Sequence, residues 1–173
     1  MALEGVGAAR ADLSYSPTRM HQNQTLLTRF YEGFNRQDAA PMVAAYAPDA
    51  EFSDPAFPSL KGPEIGEMWT MLCGRAKDFS LTFRDLRADD TTGSAHWEAS
   101  YLFQGGRRVN NIIEATFTFR DGKIVKHVDR FDFWRWSRMA LGPVGVLLGW
   151  SGFLKKKVQA QAAKGLREFR AAR

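Results

Sequence analysis

The chain contains three histidines. One of them, His127, stands two residues from Asp129 in the stretch DGKIVKHVDRFDFW, residues 121–134. Side chains alternate faces along a strand. Val125, His127, Asp129, Phe131 and Phe133 therefore share one side here, and Lys126, Val128, Arg130 and Asp132 the other. The second set is mostly charged and reads as solvent-facing. The first set is apolar except for an imidazole and a carboxylate, which are costly to bury without partners. A carboxylate stripped of water among aromatic rings can accept a proton and return it near neutral pH. The fitting chemistry is proton abstraction beside a carbonyl, followed by reprotonation or ring closure, and it needs no cofactor. A hydrogen-bonded structural pair would account for the same two residues, so both readings stay open. Strand rise separates them by about 6.5–7 Å, which leaning side chains or one water could bridge.

A second acid, Asp54, follows a short strand in the triplet SDP. It is the candidate for a second acid or base on the opposite wall. Phe30, Trp69, Trp97, Tyr101, Phe117 and Phe131 are the candidate lining of a pocket for a flat apolar ligand. Plain core packing explains Trp69 as well. Cys73 is the single cysteine. It has no CxxC partner, so no disulfide and no thiolate metal site are expected.

These residues need elements to hold them. Leu26, Leu27, Phe30, Tyr31 and Phe34 recur at helical spacing and predict a helix over about His21–Arg36. Asp38 can cap a second helix, about Ala39–Tyr46, with Pro41 in its first turn. Ala47-Pro48-Asp49 reads as a turn and Ala50–Asp54 as a short strand. Pro55 and Pro58 force an irregular loop. Gly62-Pro63 opens a third helix, about Pro63–Lys77. Long alternating strands follow over Phe79–Ala88, Ser94–Phe103 and Val109–Phe119, with Gly105-Gly106 in a hairpin loop. Asp121-Gly122 turns the chain into the closing strand. Helices followed by an antiparallel meander give an α+β fold. The sheet is expected to curl around three N-terminal helices into a cone-shaped α+β barrel.

The 173 residues suit three segments: a loose tail over 1–18, the cone over 19–136, and a C-terminal helical extension over 137–173. Charge is uneven. From Arg135 onward nine Lys/Arg face one acid, a net of +8, which leaves −3 for the rest of a chain whose total is +5. A basic body would have pointed to nucleic acid; this distribution does not. Leu141–Trp150 holds too many glycines for a stable long helix. From Ser151 a basic amphipathic helix is predicted, with Phe153, Leu154, Val158, Ala162, Leu166 and Phe169 on one side. It either packs over the domain or a partner subunit, or touches an anionic membrane surface. No signal-type leader or membrane-length apolar run is evident, which predicts a soluble cytoplasmic protein.

Three patches carry a resemblance. TLLTRFYEGFNRQDAAPMVAAYAPDAEFSDP, LKGPEIGEMW and FTFRDGKIVKHVDRFD occur in an order and spacing that resemble the nuclear-transport-factor-2-like superfamily. That superfamily includes ketosteroid isomerases, limonene epoxide hydrolases and SnoaL-like polyketide cyclases, and the similarity covers about Gln22–Trp136. It implies the cone fold and a homodimer built through the convex face of the sheet. Asp54 matches the general base of the isomerases. Phe30 falls where they keep an oxyanion-binding tyrosine, with Tyr31 aimed elsewhere on the helix. Ala115 falls near their second acid, so steroid isomerisation is disfavoured. Asp129 matches the acid/base Asp of the cyclases and epoxide hydrolases. The epoxide hydrolases wedge an Arg between two Asp residues, whereas Arg130 lies opposite Asp129. The resemblance thus implies cofactor-free proton transfer on a small hydrophobic carbonyl compound. Ligand binding without catalysis is the alternative, and epoxide hydrolysis the second enzyme reading.

Overall fold

A computed structural model describes residues 20–172. The expected N-terminal tail lies outside the described residues. Helix α1 runs Gln22–Asn35, and His21 caps it by accepting from the Asn23 amide through Nδ1. Leu27, Phe30, Tyr31 and Phe34 are its buried stripe. Asp38 caps α2, Ala39–Ala44, by accepting from the Ala40 amide. The chain then enters β1, Tyr46–Ser53, earlier than the sequence suggested. The predicted Ala47-Pro48-Asp49 turn survives as an irregularity in β1 between Tyr46 and Glu51. After the proline loop comes β2, Leu60–Lys61. Gly62 has φ +52°, and a Cβ there would meet the Pro48 carbonyl at 2.8 Å, so glycine is required. Helix α3, Pro63–Arg75, follows and buries Ile65, Met68, Trp69 and Met71.

Four long strands form the body of the sheet: β3 Lys77–Ala88, β4 Thr92–Phe103, β5 Arg107–Arg120 and β6 Lys123–Arg130. The order is β2-β1-β6-β5-β4-β3. Neighbours are antiparallel except β1 and β6, which run parallel. The sheet is therefore open at both edges and is a curved cone wall, not a closed barrel. Strand β5 shows why it curves around the helices. Val109, Asn111, Ile113, Ala115, Phe117 and Phe119 all point inward, and every intervening residue is exposed.

The closing strand departs from strict alternation twice. A register shift opposite Thr118 and Phe119 makes Ile124 the buried residue and turns Val125 out of the inner set. The strand also stops at Arg130. Asp132 accepts from the Arg135 amide at 3.0 Å and starts α4, Phe133–Leu141. Phe131 and Phe133 therefore do not extend the strand.

Two further helices, α5 Pro143–Leu148 and α6 Gly152–Ala171, complete the extension. Ser151 caps α6. Leu154 and Leu166 are buried, and Ala162 and Phe169 pack on the main core. Arg170 pairs with Glu64 and Glu67 of α3, and Gln159 donates to the Pro55 carbonyl. Phe153, expected on the packed side, is instead exposed. Among the described residues, no helix is long and apolar enough to cross a membrane.

Candidate functional site

The register of β6 decides what surrounds the candidate pair. Phe117 on β5 and Phe52 on β1 sit directly beside His127, and Ala115 sits beside Asp129. On the next strand Ala95 faces Ala115. His127 is 1% exposed and Asp129 4%. Their contact is direct, with Nε2 of His127 3.0 Å from Oδ1 of Asp129, so the separation set by the backbone is closed by side-chain lean.

Partners on both sides fix the proton positions. The Trp69 indole donates to the Tyr46 hydroxyl at 3.0 Å. An indole can only donate. Tyr46 is therefore free to donate its own proton to Nδ1 of His127, 2.6 Å away. With Nδ1 accepting, the neutral ring carries its proton on Nε2 and donates it to Asp129. The Trp97 indole donates to the same oxygen at 3.4 Å. Both of these bonds fall on Oδ1 of Asp129. Trp69, Tyr46, His127, Asp129 and Trp97 thus form one continuous buried line.

Aromatic rings enclose that line. The Phe117 ring centroid lies 4.3 Å from His127, Phe52 5.0 Å and Phe30 5.9 Å. Trp69 and Tyr46 stack on the imidazole at 6.2 and 6.1 Å. Phe30, Trp69, Trp97 and Phe117 are therefore brought together around the pair. Tyr101 and Phe131 pack on the same core and also on Trp136 of α4 in a smaller cluster, where the Trp136 indole donates to the Tyr101 hydroxyl at 3.0 Å.

Asp54 stands in the loop after β1, half-buried, and accepts from the Ala56 and Phe57 amides. Burial pushes its carboxyl up to about 7 against those two bonds, and the charge of Asp129 adds to the rise. The Lys155 ammonium on α6 opposes it. Asp54 thus lies within electrostatic reach of both Asp129 and the C-terminal extension.

Two tyrosines were not read as site residues. The sequence puts Tyr46 at the end of a helix, and a tyrosine beside Ala-Pro-Asp gives no local sign of its contact with His127, 81 positions away. Tyr31 was expected to point away. It is fully buried, stacked on Phe83 at 5.4 Å, and its hydroxyl has no partner among the described residues. Burial first, then the Asp129 charge, holds the Tyr31 hydroxyl well above the usual phenol range. Burial likewise raises Tyr46. Both remain proton donors at neutral pH.

Two surface depressions, of about 910 and 270 Å³, lie elsewhere. The first is lined by α1 and Lys123, the second by Arg84, His96 and Glu114 on the convex face. Neither is lined by His127, Asp129 or Asp54. Among the described residues, no group of three or more His, Cys, Asp or Glu is placed to hold a metal ion.

A curved six-stranded sheet around α1–α3, with an acid and an imidazole facing inward from its last strand, defines a nuclear-transport-factor-2-like cone. A SnoaL-like domain profile matches residues 27–127, and the chain belongs to that family. The match stops short of Asp129 and of all of α4–α6. Solved structures resemble this one in fold. An epoxide hydrolase of the LEH-like type from M. tuberculosis aligns with TM-score 0.60 and 19% identity, over 75% of this chain and 97% of its own. An ntf2-like protein of unknown function from Burkholderia pseudomallei gives TM-score 0.62 and 18% identity, over 70% and 98%. A putative polyketide cyclase from Xanthomonas campestris gives 0.57 and 22%, over 69% and 96%. No curated protein sequence matches the chain.

Proposed function

We propose that the chain catalyses cofactor-free proton transfer on a small hydrophobic carbonyl compound, of the cyclase or isomerase type. The observation that carries this reading is the buried His127–Asp129 pair, with both of its hydrogen bonds on Oδ1, near the buried Tyr31 hydroxyl, which has no partner among the described residues. Sequestering an ionisable pair costs folding energy, and such groups cluster where chemistry is done.

Each group has a task in this reading. Oδ2 of Asp129 takes a proton from the carbon beside the carbonyl. The electron pair of the broken C–H bond moves onto the carbonyl oxygen, and Tyr31 stabilises it by donating its hydroxyl proton in a hydrogen bond. The enolate then either recovers the proton at another carbon or closes a ring by attacking a second carbonyl. His127 holds Oδ1 through Nε2–H, and Tyr46 fixes the tautomer that makes this possible. Asp54, with its carboxyl near 7, supplies or removes the second proton. Epoxide hydrolysis ranks lower because, among the described residues, no arginine pairs with Asp54 or Asp129.

One observation favours a second reading, ligand binding or a structural role without catalysis. The pair is enclosed by rings, and neither surface depression is lined by it. A panel of flat apolar ketones, screened by thermal shift and then for turnover, separates the two. Catalysis predicts that a stabilising compound is isomerised or cyclised, and that Asp129→Asn still binds it without converting it. A compound that raises Tm but is never converted by the wild-type chain favours binding alone.

A further inference from the structure

We infer that the exposed tip of the C-terminal extension, α5 with the start of α6, docks on an anionic lipid surface. The tip is built inside out. A Cβ on Gly145 would lie 1.8 Å from the Ser137 carbonyl oxygen, and one on Gly149 2.0 Å from the Ser137 hydroxyl. Only glycine lets α5 press this closely on α4, so the small face of the short helix is the packed one. Its large side chains are turned to the outside. Val144, Val146, Leu147 and Leu148 are 51%, 51%, 70% and 42% exposed, and Trp150 and Phe153 beyond them 74% and 69%. A surface helix ordinarily presents the opposite arrangement, and a contiguous apolar patch marks an interaction site.

Charge identifies the occupant. From Trp134 through Arg167 the chain has seven Lys/Arg, Arg167 included, and no acid. Lys156 and Lys157 are exposed one turn from Phe153. Arg138 stacks over the Trp134 ring at 4.9 Å on the rim of the patch. An apolar centre ringed by cations matches an interface with acyl chains below and anionic headgroups above. A second copy of the chain would oppose lysines to lysines. Trp150 donates its indole N–H to the Leu147 carbonyl at 3.0 Å, so its ring enters the interface with that polar group satisfied. The patch is too short to span and would lie in the headgroup region. This inference is independent of the proton-transfer reading.

The test is sedimentation of the full chain with vesicles. Phosphatidylcholine vesicles containing phosphatidylglycerol are expected to carry the chain down, and phosphatidylcholine alone far less. The exposed triple variant Leu147→Ser, Trp150→Ser, Phe153→Ser should lose this binding, its fold checked by circular dichroism. Lys156→Gln with Lys157→Gln should weaken it about 25-fold, at about fivefold per cation. Failure of the wild-type chain to bind the anionic vesicles overturns the inference. So does binding that survives the triple variant. A wild-type dimer that the triple variant dissolves, without vesicle binding, would overturn it in favour of self-association.

Discussion

Asp129 can serve as a base only if His127 and its supports stay in register, so the supporting residues give the first tests. Tyr46→Phe removes the acceptor of the Trp69 indole and the donor to Nδ1 of His127. Two buried polar groups lose their partner, and the variant should be destabilised by about 1–3 kcal/mol in urea unfolding. Asp54 gives a pH signature. The folded chain keeps its proton up to about pH 7, against an ordinary value of 3.8. Folding therefore takes up a proton between those values, and this contribution to stability falls as pH rises through that window. Asp54→Asn keeps an acceptor for the Ala56 and Phe57 amides and abolishes the titration. A rise of about three units in a fully buried group is worth about 4 kcal/mol. Asp54 is half-buried, so we expect a gain of about 1–2 kcal/mol at pH 8 and no difference at pH 4. His127 and Asp129 were legible as polar groups on an otherwise apolar strand face, and Asp54 only through the family resemblance. Tyr46 and Tyr31 were not, because aromatic residues are ordinary in a core and only the tertiary contact marks them.

Elements with strong periodicity were read closely from sequence. Helices α1 and α3 and strands β3–β5 carry their own hydrophobic pattern, and the structure moves their ends by a few residues. The closing strand was read too long. The alternation of Phe131 and Phe133 looks like strand, but the Asp132 cap outweighs it and starts α4. A bulge at Val125 has no sequence mark at all, since it depends on pairing with β5. In the extension, glycines read as helix breakers prove to be contact residues. The energetic consequence is specific. Gly145→Ala drives a methyl group into the Ser137 backbone, where neither side can yield cheaply. We expect about 1–3 kcal/mol of destabilisation in thermal or urea melts.

At the scale of the whole molecule, the extension ties the two ends of the account together. Helix α6 rests on α3 and on the Pro55 loop, brings the Lys155 charge to bear on Asp54, and leaves Trp150 and Phe153 in water. The family match ends before it, so it is an addition to the SnoaL-like cone. Its basic, partly apolar character was evident from composition; which residues pack and which stay outside depends on the fit of α5 against α4. The most direct test of the proposed chemistry is exchange of the α-proton of an apolar ketone in deuterated water, followed by NMR for the wild-type chain and for Asp129→Asn. A general base contributes about 100-fold or more to such a step. The account predicts catalysed exchange by the wild type and a loss of that size in a folded Asp129→Asn chain, whereas an unchanged exchange rate in that variant would contradict it.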